Sequence, residues 1–219
     1  MDLQAACRAN KRAAPNGGSV MVDEAQVIET QGKAEASARQ RLVAAAARLF
    51  CRHGINAVGV DAVVAEAGTA KATLYKAFGS KEKLVEAVLE QEGRHWRDWF
   101  LAGLDAGEAG PLERLRRIFP LLEEWFAQEQ FYGCPFINAV GEHDKSDDRL
   151  RSLTLEHKRR VMGRIEALAA QAGVRDPERL SQQLYLLMDG AIVVAMISRD
   201  PGAARLAGDA AERLLKDLE

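Results

Sequence analysis

From Ala36 onward, apolar residues recur at three- and four-residue intervals, the period of a helix that buries one side. Leu42, Ala45, Ala46, Leu49 and Phe50 form the first such set, and Gly54 supplies a stop. A short second helix is predicted from Val60 to Ala67, with Val60, Val63 and Val64 apolar and Gly68 ending it. Thr69 is placed to cap a third short helix over about residues 70–77, and Ser80 to cap a long fourth one over about 81–104. Pro111 opens a helix reaching about residue 128, which Pro120 is expected to bend. Gly133 and Pro135 mark a turn before a short helix near 136–140. The polar stretch 141–148 reads as a loop, and a long amphipathic helix follows it to about residue 172. Asp176-Pro177 and Asp200-Pro201 are cap-and-first-turn pairs that start the last two helices. No segment alternates as a strand would, so the expected fold is all-α.

Residues 1–34 lack this periodicity and contain Pro15, Gly17 and Gly18, so they are expected to form a flexible tail, with Met21 a second possible start. Hydrophobic residues make up 47% of the 219 and charged residues 28%, which excludes a disordered chain. No charge-free stretch reaches the roughly 18 apolar residues of a membrane span, and no apolar block resembles a secretory signal. Neither a membrane nor secretion is expected. Cys7, Cys51 and Cys134 are few, odd in number and far apart, which fits a reducing cytoplasm rather than a disulfide framework or zinc knuckle.

The formal charge of −2 hides a division along the chain. Between residues 36 and 83, Arg39, Arg41, Arg48, Arg52, Lys71, Lys76, Lys81 and Lys83 face only Asp61, Glu66 and Glu82. A compact basic segment joined to an acidic remainder points to a polyanionic partner for that segment. Within it, two short helices joined by a tight turn describe a helix-turn-helix. The second must enter a major groove about 12 Å wide, so its leading face needs small side chains or long flexible donors. Thr69, Ala70, Lys71, Ala72 and Thr73 supply such a face, while Leu74 and Phe78, four apart, face inward. Tyr75 and Lys76 then point outward toward flanking phosphates, and Lys81 adds a charge at the next helix start. Tyr75 is alternatively a packed aromatic, and Lys71 a solvated lysine that touches no base.

The run Ala67-Gly68-Thr69-Ala70-Lys71-Ala72-Thr73-Leu74-Tyr75-Lys76-Ala77-Phe78-Gly79-Ser80-Lys81-Glu82 resembles the signature of TetR-family transcriptional regulators. Arg41-Leu42 to Ala46, Leu49-Phe50, Gly54, Gly59-Val60-Asp61 and Ala65 extend the likeness over about residues 39–88. The remainder is similar to the family's second domain, including Gly133-Cys134-Pro135-Phe136 and Leu187-Met188-Asp189-Gly190. The resemblance implies a helix-turn-helix DNA-binding domain at 35–80 and a helical effector-binding and dimerisation domain at 81–219. It further implies that Thr69, Lys71, Ala72 and Thr73 face the groove, that Tyr75, Lys76 and Lys81 hold phosphates, and that Arg39 and Arg41 lie near the backbone. Many relatives carry Thr or Ser where Gly59 stands, so Gly59 offers that phosphate only its amide. The function so implied is a cytoplasmic, homodimeric regulator, most simply a repressor released from a palindromic operator in double-stranded DNA by a small-molecule effector.

A palindrome is read by a two-fold dimer, so the second domain must supply an interface. Residues 184–197 are almost wholly apolar, and a helix apolar all round is buried all round. One face is assigned to the core and one to a partner, through Leu187, Gly190, Ala191, Val194 and Ala195, with Leu206, Ala210 and Leu214 of the last helix. The alternative is an internal core helix of a monomer. Trp96, Trp99, Phe100, Phe119, Trp125, Phe126 and Phe136 cluster mid-chain and read either as core or, as the resemblance implies, as the lining of an effector pocket. Asp189, set in an apolar helix, binds either a polar part of the effector or the partner helix.

Glu142, His143, Asp144, Asp148 and His157 lack tight ligand spacing, so solvated loop charges are expected rather than a metal site. Cys134 is expected to be a packed thiol, and His53 to cap the first helix. No cofactor is expected. No Ser/His/Asp or Cys/His arrangement and no Gly-rich nucleotide loop points to an enzyme.

Overall fold

The computed structural model describes the backbone of residues 24–144 and 148–216, and side chains from Ser37 onward. Most of the tail at 1–34, including Met21 and Cys7, lies outside the described residues. Ten helices follow in order: α1 (Glu24–His53), α2 (Val60–Ala67), α3 (Lys71–Phe78), α4 (Lys81–Leu104), α5 (Pro111–Arg116), α6 (Ile118–Phe126), α7 (Pro135–Glu142), α8 (Asp148–Gln171), α9 (Pro177–Ser198) and α10 (Gly202–Lys216). No strand occurs among the described residues, as the missing alternation requires. Helix α1 begins at Glu24, before the periodicity does. Residues 24–36 are rich in Ala, Glu, Gln and Lys, which favour helix without needing an apolar face.

Residues 37–219 form one compact unit with two apolar clusters. The head cluster gathers Leu42, Ala46 and Phe50 of α1, Val63 and Val64 of α2, and Leu74 of α3. It does not stop at residue 80: Leu84, Val85, Val88 and Leu89 of α4, Phe136 and Ala139 of α7 and Leu150 of α8 close it. The body cluster takes Phe100 and Leu104 from the far end of α4, then α5, α6 and α8 to α10. Helix α4 therefore belongs to both cores, a continuous rod from head to body.

The breaks have local causes. Gly68 ends α2 at φ 59, a left-handed conformation that closes the turn through its amide to the Ala65 carbonyl. Ser80 caps α4 by accepting from the Lys83 amide, and Asp176 caps α9 by accepting from the Arg179 amide. Two expectations fail. Thr69 does not cap α3; Ala70 occupies that position, without a side-chain bond, because the Thr69 hydroxyl is turned into the protein. The predicted 111–128 helix breaks at Arg117 rather than bending at Pro120. A proline ring clashes with the carbonyl four residues earlier, here Arg116, so the break falls one turn upstream of the proline itself.

Helix α9 is long and apolar enough to cross a membrane by length and composition, with a mean hydropathy of 1.5 over its most apolar 18 residues. The charge-free criterion passes over it because Asp189 interrupts the run. Leu180, Leu184, Tyr185, Met188, Ala191, Ile192 and Ala195 on one side of it are buried in the body, and Asp189 pairs with Lys158 of α8. That is how a core helix of a globular body is held.

Candidate functional site

Helix α3 shows why its sequence alternates in character. Leu74 is fully buried and fixes the helix to the head, with Phe78 packed half-buried behind it. Ala70, Lys71, Ala72, Tyr75 and Lys76 are exposed, and Tyr75 shows 45% of its surface, so it is not a packed aromatic. An exposed tyrosine between small residues and lysines has an apolar ring to lay along a groove and a hydroxyl to donate to phosphate. Lys71 pairs with Asp61 at 3.0 Å across the helix-turn-helix, which raises its pKa through the side-chain hydrogen bond and the carboxylate charge. An exposed pair of this kind is weak and exchanges readily for phosphate.

The flanking residues divide. Arg39 lies over the Phe78 ring at 5.0 Å, at the C-terminal end of α3. Arg41 donates through Nε to the Ala67 carbonyl (3.2 Å) and through a guanidinium nitrogen to Ser37 Oγ (3.1 Å), so it ties α1 to the end of α2 while remaining exposed. Thr69 and Thr73 are both half-buried, and Thr69 Oγ1 is buried without a hydrogen-bond partner. Lys81 also departs from expectation. Its ammonium donates to the Ile55 carbonyl at 2.6 Å and stands 5.9 Å over the Phe50 ring, turned toward the head core. Gly59 caps α2 in extended backbone, without a side-chain bond and with open space where a side chain would stand.

The aromatics read as core or pocket lining divide between the two apolar clusters. Trp96 stacks on Phe100 (4.7 Å between centroids) and meets Trp125 edge-on (5.4 Å), and Trp125 meets Phe131 edge-on (5.1 Å). Phe100, Phe119 and Phe126 are buried in the body cluster, and Phe119 packs under α10, where a Cβ on Gly208 would fall 3.1 Å from it. Phe136 belongs to the head cluster instead and stacks on His157 at 4.1 Å. It reaches there because α4 has Gly93 opposite: a Cβ would fall 2.7 Å from the Phe136 ring. Asp189 pairs with Lys158 of α8, and that ammonium also stands 5.1 Å over the Tyr185 ring.

Sequence reasoning missed the joint between head and body. The Asn56 amide donates to Glu142 Oε2 (2.9 Å), and Asn56 Nδ2 donates to the Glu142 carbonyl (2.7 Å), which fastens the turn after α1 to the end of α7. Phe50, Cys51 and Ile55 line a recess here with Val85, Val88 and Leu89 of α4 and with Pro135, Asn138 and Glu142. The sequence suggests only a solvated loop charge at Glu142. It lies 86 positions from Asn56, so no local signal reveals the pair. His143 is likewise engaged, its Nδ1 bonded to the Ala139 carbonyl. Among the described residues no three His, Cys, Asp or Glu side chains gather as a metal site would require. Burial pushes the Cys51 thiol up to about 12 and raises Cys134 as well, so neither is a ready thiolate.

On α9, Leu186, Gly190, Val194 and Ile197 follow one another at helical spacing and are exposed, and Leu206 of α10 is 73% exposed. Ala191 and Ala195 are buried on the opposite side and belong to the protomer's own core, which corrects their assignment to the partner face. Leu187, Ala210 and Leu214 are half-buried between the two sides.

Residues 42–88 match the family of bacterial regulatory proteins described as the tetR family, and residues 111–211 match the C-terminal domain described as tetracyclin repressor-like. The structure superposes with a TM-score of 0.76 on a TetR-family transcriptional regulator from Streptomyces coelicolor, 30% identical, covering 84% of this chain and 96% of that one. The chain belongs to the TetR family. Among characterised relatives, the HTH-type transcriptional regulator BetI of Rhizobium meliloti is 26% identical over 166 residues, 74% of this chain and 80% of BetI. The HTH-type transcriptional repressor KstR2 of Mycobacterium tuberculosis is 35% identical over 86 residues, 38% of this chain and 41% of KstR2. TetR proteins are transcription regulators rather than enzymes, typically repressors that bind DNA and small effectors as dimers. The protein described here is such a helix-turn-helix regulator.

Proposed function

We propose that the protein is a homodimeric cytoplasmic repressor that occupies a palindromic operator through α3 and leaves it when a small molecule enters the body. The observation that carries this reading is the sidedness of α3: Leu74 buried, with Ala70, Lys71, Ala72, Tyr75 and Lys76 exposed. Two such helices on a two-fold dimer meet successive major grooves about 34–36 Å apart. The unpartnered stripe Leu186, Gly190, Val194 and Ile197, with Leu206, is the surface that supports dimerisation. Release would act through α4, the rod shared by both cores. A coupling of about 1–3 kcal/mol between effector and DNA gives a 5- to 150-fold change in affinity.

The test is DNA binding by a Lys71→Ala/Tyr75→Phe/Lys76→Ala variant. Affinity should fall at least tenfold (about 1.4 kcal/mol), and the slope of log affinity against log salt should shrink by about two phosphate contacts' worth. Unchanged affinity and slope would remove α3 from the interface.

A further inference from the structure

One corner of the body, where α4, α7 and α8 meet, holds more hydrogen-bond donors than acceptors. The Trp96 indole nitrogen is buried without a partner. A guanidinium nitrogen of Arg97 lies 2.7 Å from His157 Nδ1, and since arginine only donates, that nitrogen accepts and the imidazole carries its hydrogen on Nε2. His157 is 7% exposed, sandwiched against Phe136 and 5.9 Å from the Trp96 ring. Burial, then the charges of Arg97, Lys158 and Arg160, lowers its pKa to about 3, so it is a neutral neighbour and adds no negative charge.

The acids nearby are largely spoken for. Asp189 pairs with Lys158, and Glu156 pairs with Arg160 on the surface of α8. Asp98 lies on the exposed side of α4, and Arg94 and Arg160 repel the Arg97 charge further. Among the described residues Arg97 thus has a neutral ring as its hydrogen-bonding partner and no carboxylate in an ion pair with it, while remaining half-buried. Trp96, Trp99 and Trp125 are half-buried and meet ring to ring around Trp96, the neighbour of Arg97 in sequence, which forms a partly exposed aromatic wall.

We propose that this corner binds the carboxylate of an apolar organic acid, with Arg97 as its ion-pair partner, Trp96 Nε1 as a second donor and the tryptophan wall against the apolar part. A single guanidinium with one neutral donor matches one negative charge, and arginine's fork fits a planar carboxylate. The site rests on the effector reading above and gives it a ligand class.

The experiment titrates the full-length protein with acids and their primary amides, using tryptophan fluorescence and calorimetry: benzoate and benzamide, 2-naphthoate and 2-naphthamide, octanoate and octanamide. At least one acid should bind saturably, at least tenfold tighter than its amide. Arg97→Gln should abolish that preference and Arg97→Lys should retain part of it. Trp96→Phe should weaken the acid severalfold while leaving the unfolding temperature unchanged or higher, because a buried orphan donor has been removed. Acids and amides binding equally would overturn the proposal, as would no acid binding more tightly than about 1 mM, or a preference that survives Arg97→Gln. DNA affinity measured on the same samples separates the two readings. An acid that binds through Arg97 but leaves DNA affinity unchanged upholds the site and contradicts effector release. Release by compounds that show no acid preference does the reverse.

Discussion

His157 illustrates how a single side chain records its surroundings. It is held neutral between Phe136, Arg97 and Lys158, with its pKa lowered to about 3 from an ordinary value near 6.5. The unfolded chain therefore takes up a proton at His157 below pH 6.5 that the folded chain refuses until about pH 3. Stability contributed by this residue is present above pH 6.5 and is lost as the pH falls, with a slope approaching about 1.4 kcal/mol per pH unit. Urea unfolding of the wild type and of His157→Gln, compared at pH 7 and pH 5, should show the wild type losing more stability on acidification. Equal losses would mean that His157 is not held neutral. Nothing local in the sequence announces this environment, since Arg97 lies 60 residues away. Thr69 and Lys81 teach the same limit. Their types and positions suit DNA contacts, yet the Thr69 hydroxyl is buried and the Lys81 ammonium serves the Ile55 carbonyl.

At the scale of elements, the short helices of the head were legible because each one is bounded by chemistry local to it: Gly68 in a left-handed turn, Ser80 as a cap, Leu74 as the anchor. The same held for α9, opened by Asp176 and Pro177. What the periodicity could not show was which helix packs on which, and α7 is the clearest case. It reads as a short helix near 136–140, but it carries Phe136 into the head cluster and Glu142 onto Asn56. Replacing Glu142 by Ala removes the acceptor of the Asn56 amide and should cost about 1 kcal/mol. Hydrogen exchange at Asn56 should accelerate several-fold in this variant while α8 and α9 keep their protection. Unchanged exchange at Asn56 would mean that the α7 contact does not hold the head.

For the whole molecule, the informative surface is the one the protomer leaves uncovered. The apolar run 184–197 marks a helix whose sides differ in burial, and sequence alone could not say which residues take which side. Packing against α8 and α10 buries Ala191 and Ala195 and leaves Leu186, Val194 and Ile197 exposed. Large apolar side chains exposed together on one surface mark an association site. Substituting Val194→Asp together with Ile197→Glu should therefore convert a dimer to a monomer in sedimentation at micromolar concentration. The protomer fold should survive, since neither residue is in the core, and DNA affinity should drop because one head reads only half a site. A variant that remains dimeric would place the interface elsewhere.

The most direct test of the account is selection of DNA from a random duplex library by the purified protein. The account predicts enrichment of an inverted repeat whose half-site centres lie about 10–10.5 base pairs, or a multiple of that turn, apart, with no enrichment by the Lys71→Ala/Tyr75→Phe/Lys76→Ala variant. A pool without a two-fold repeat, or the same repeat enriched by the variant, would contradict it.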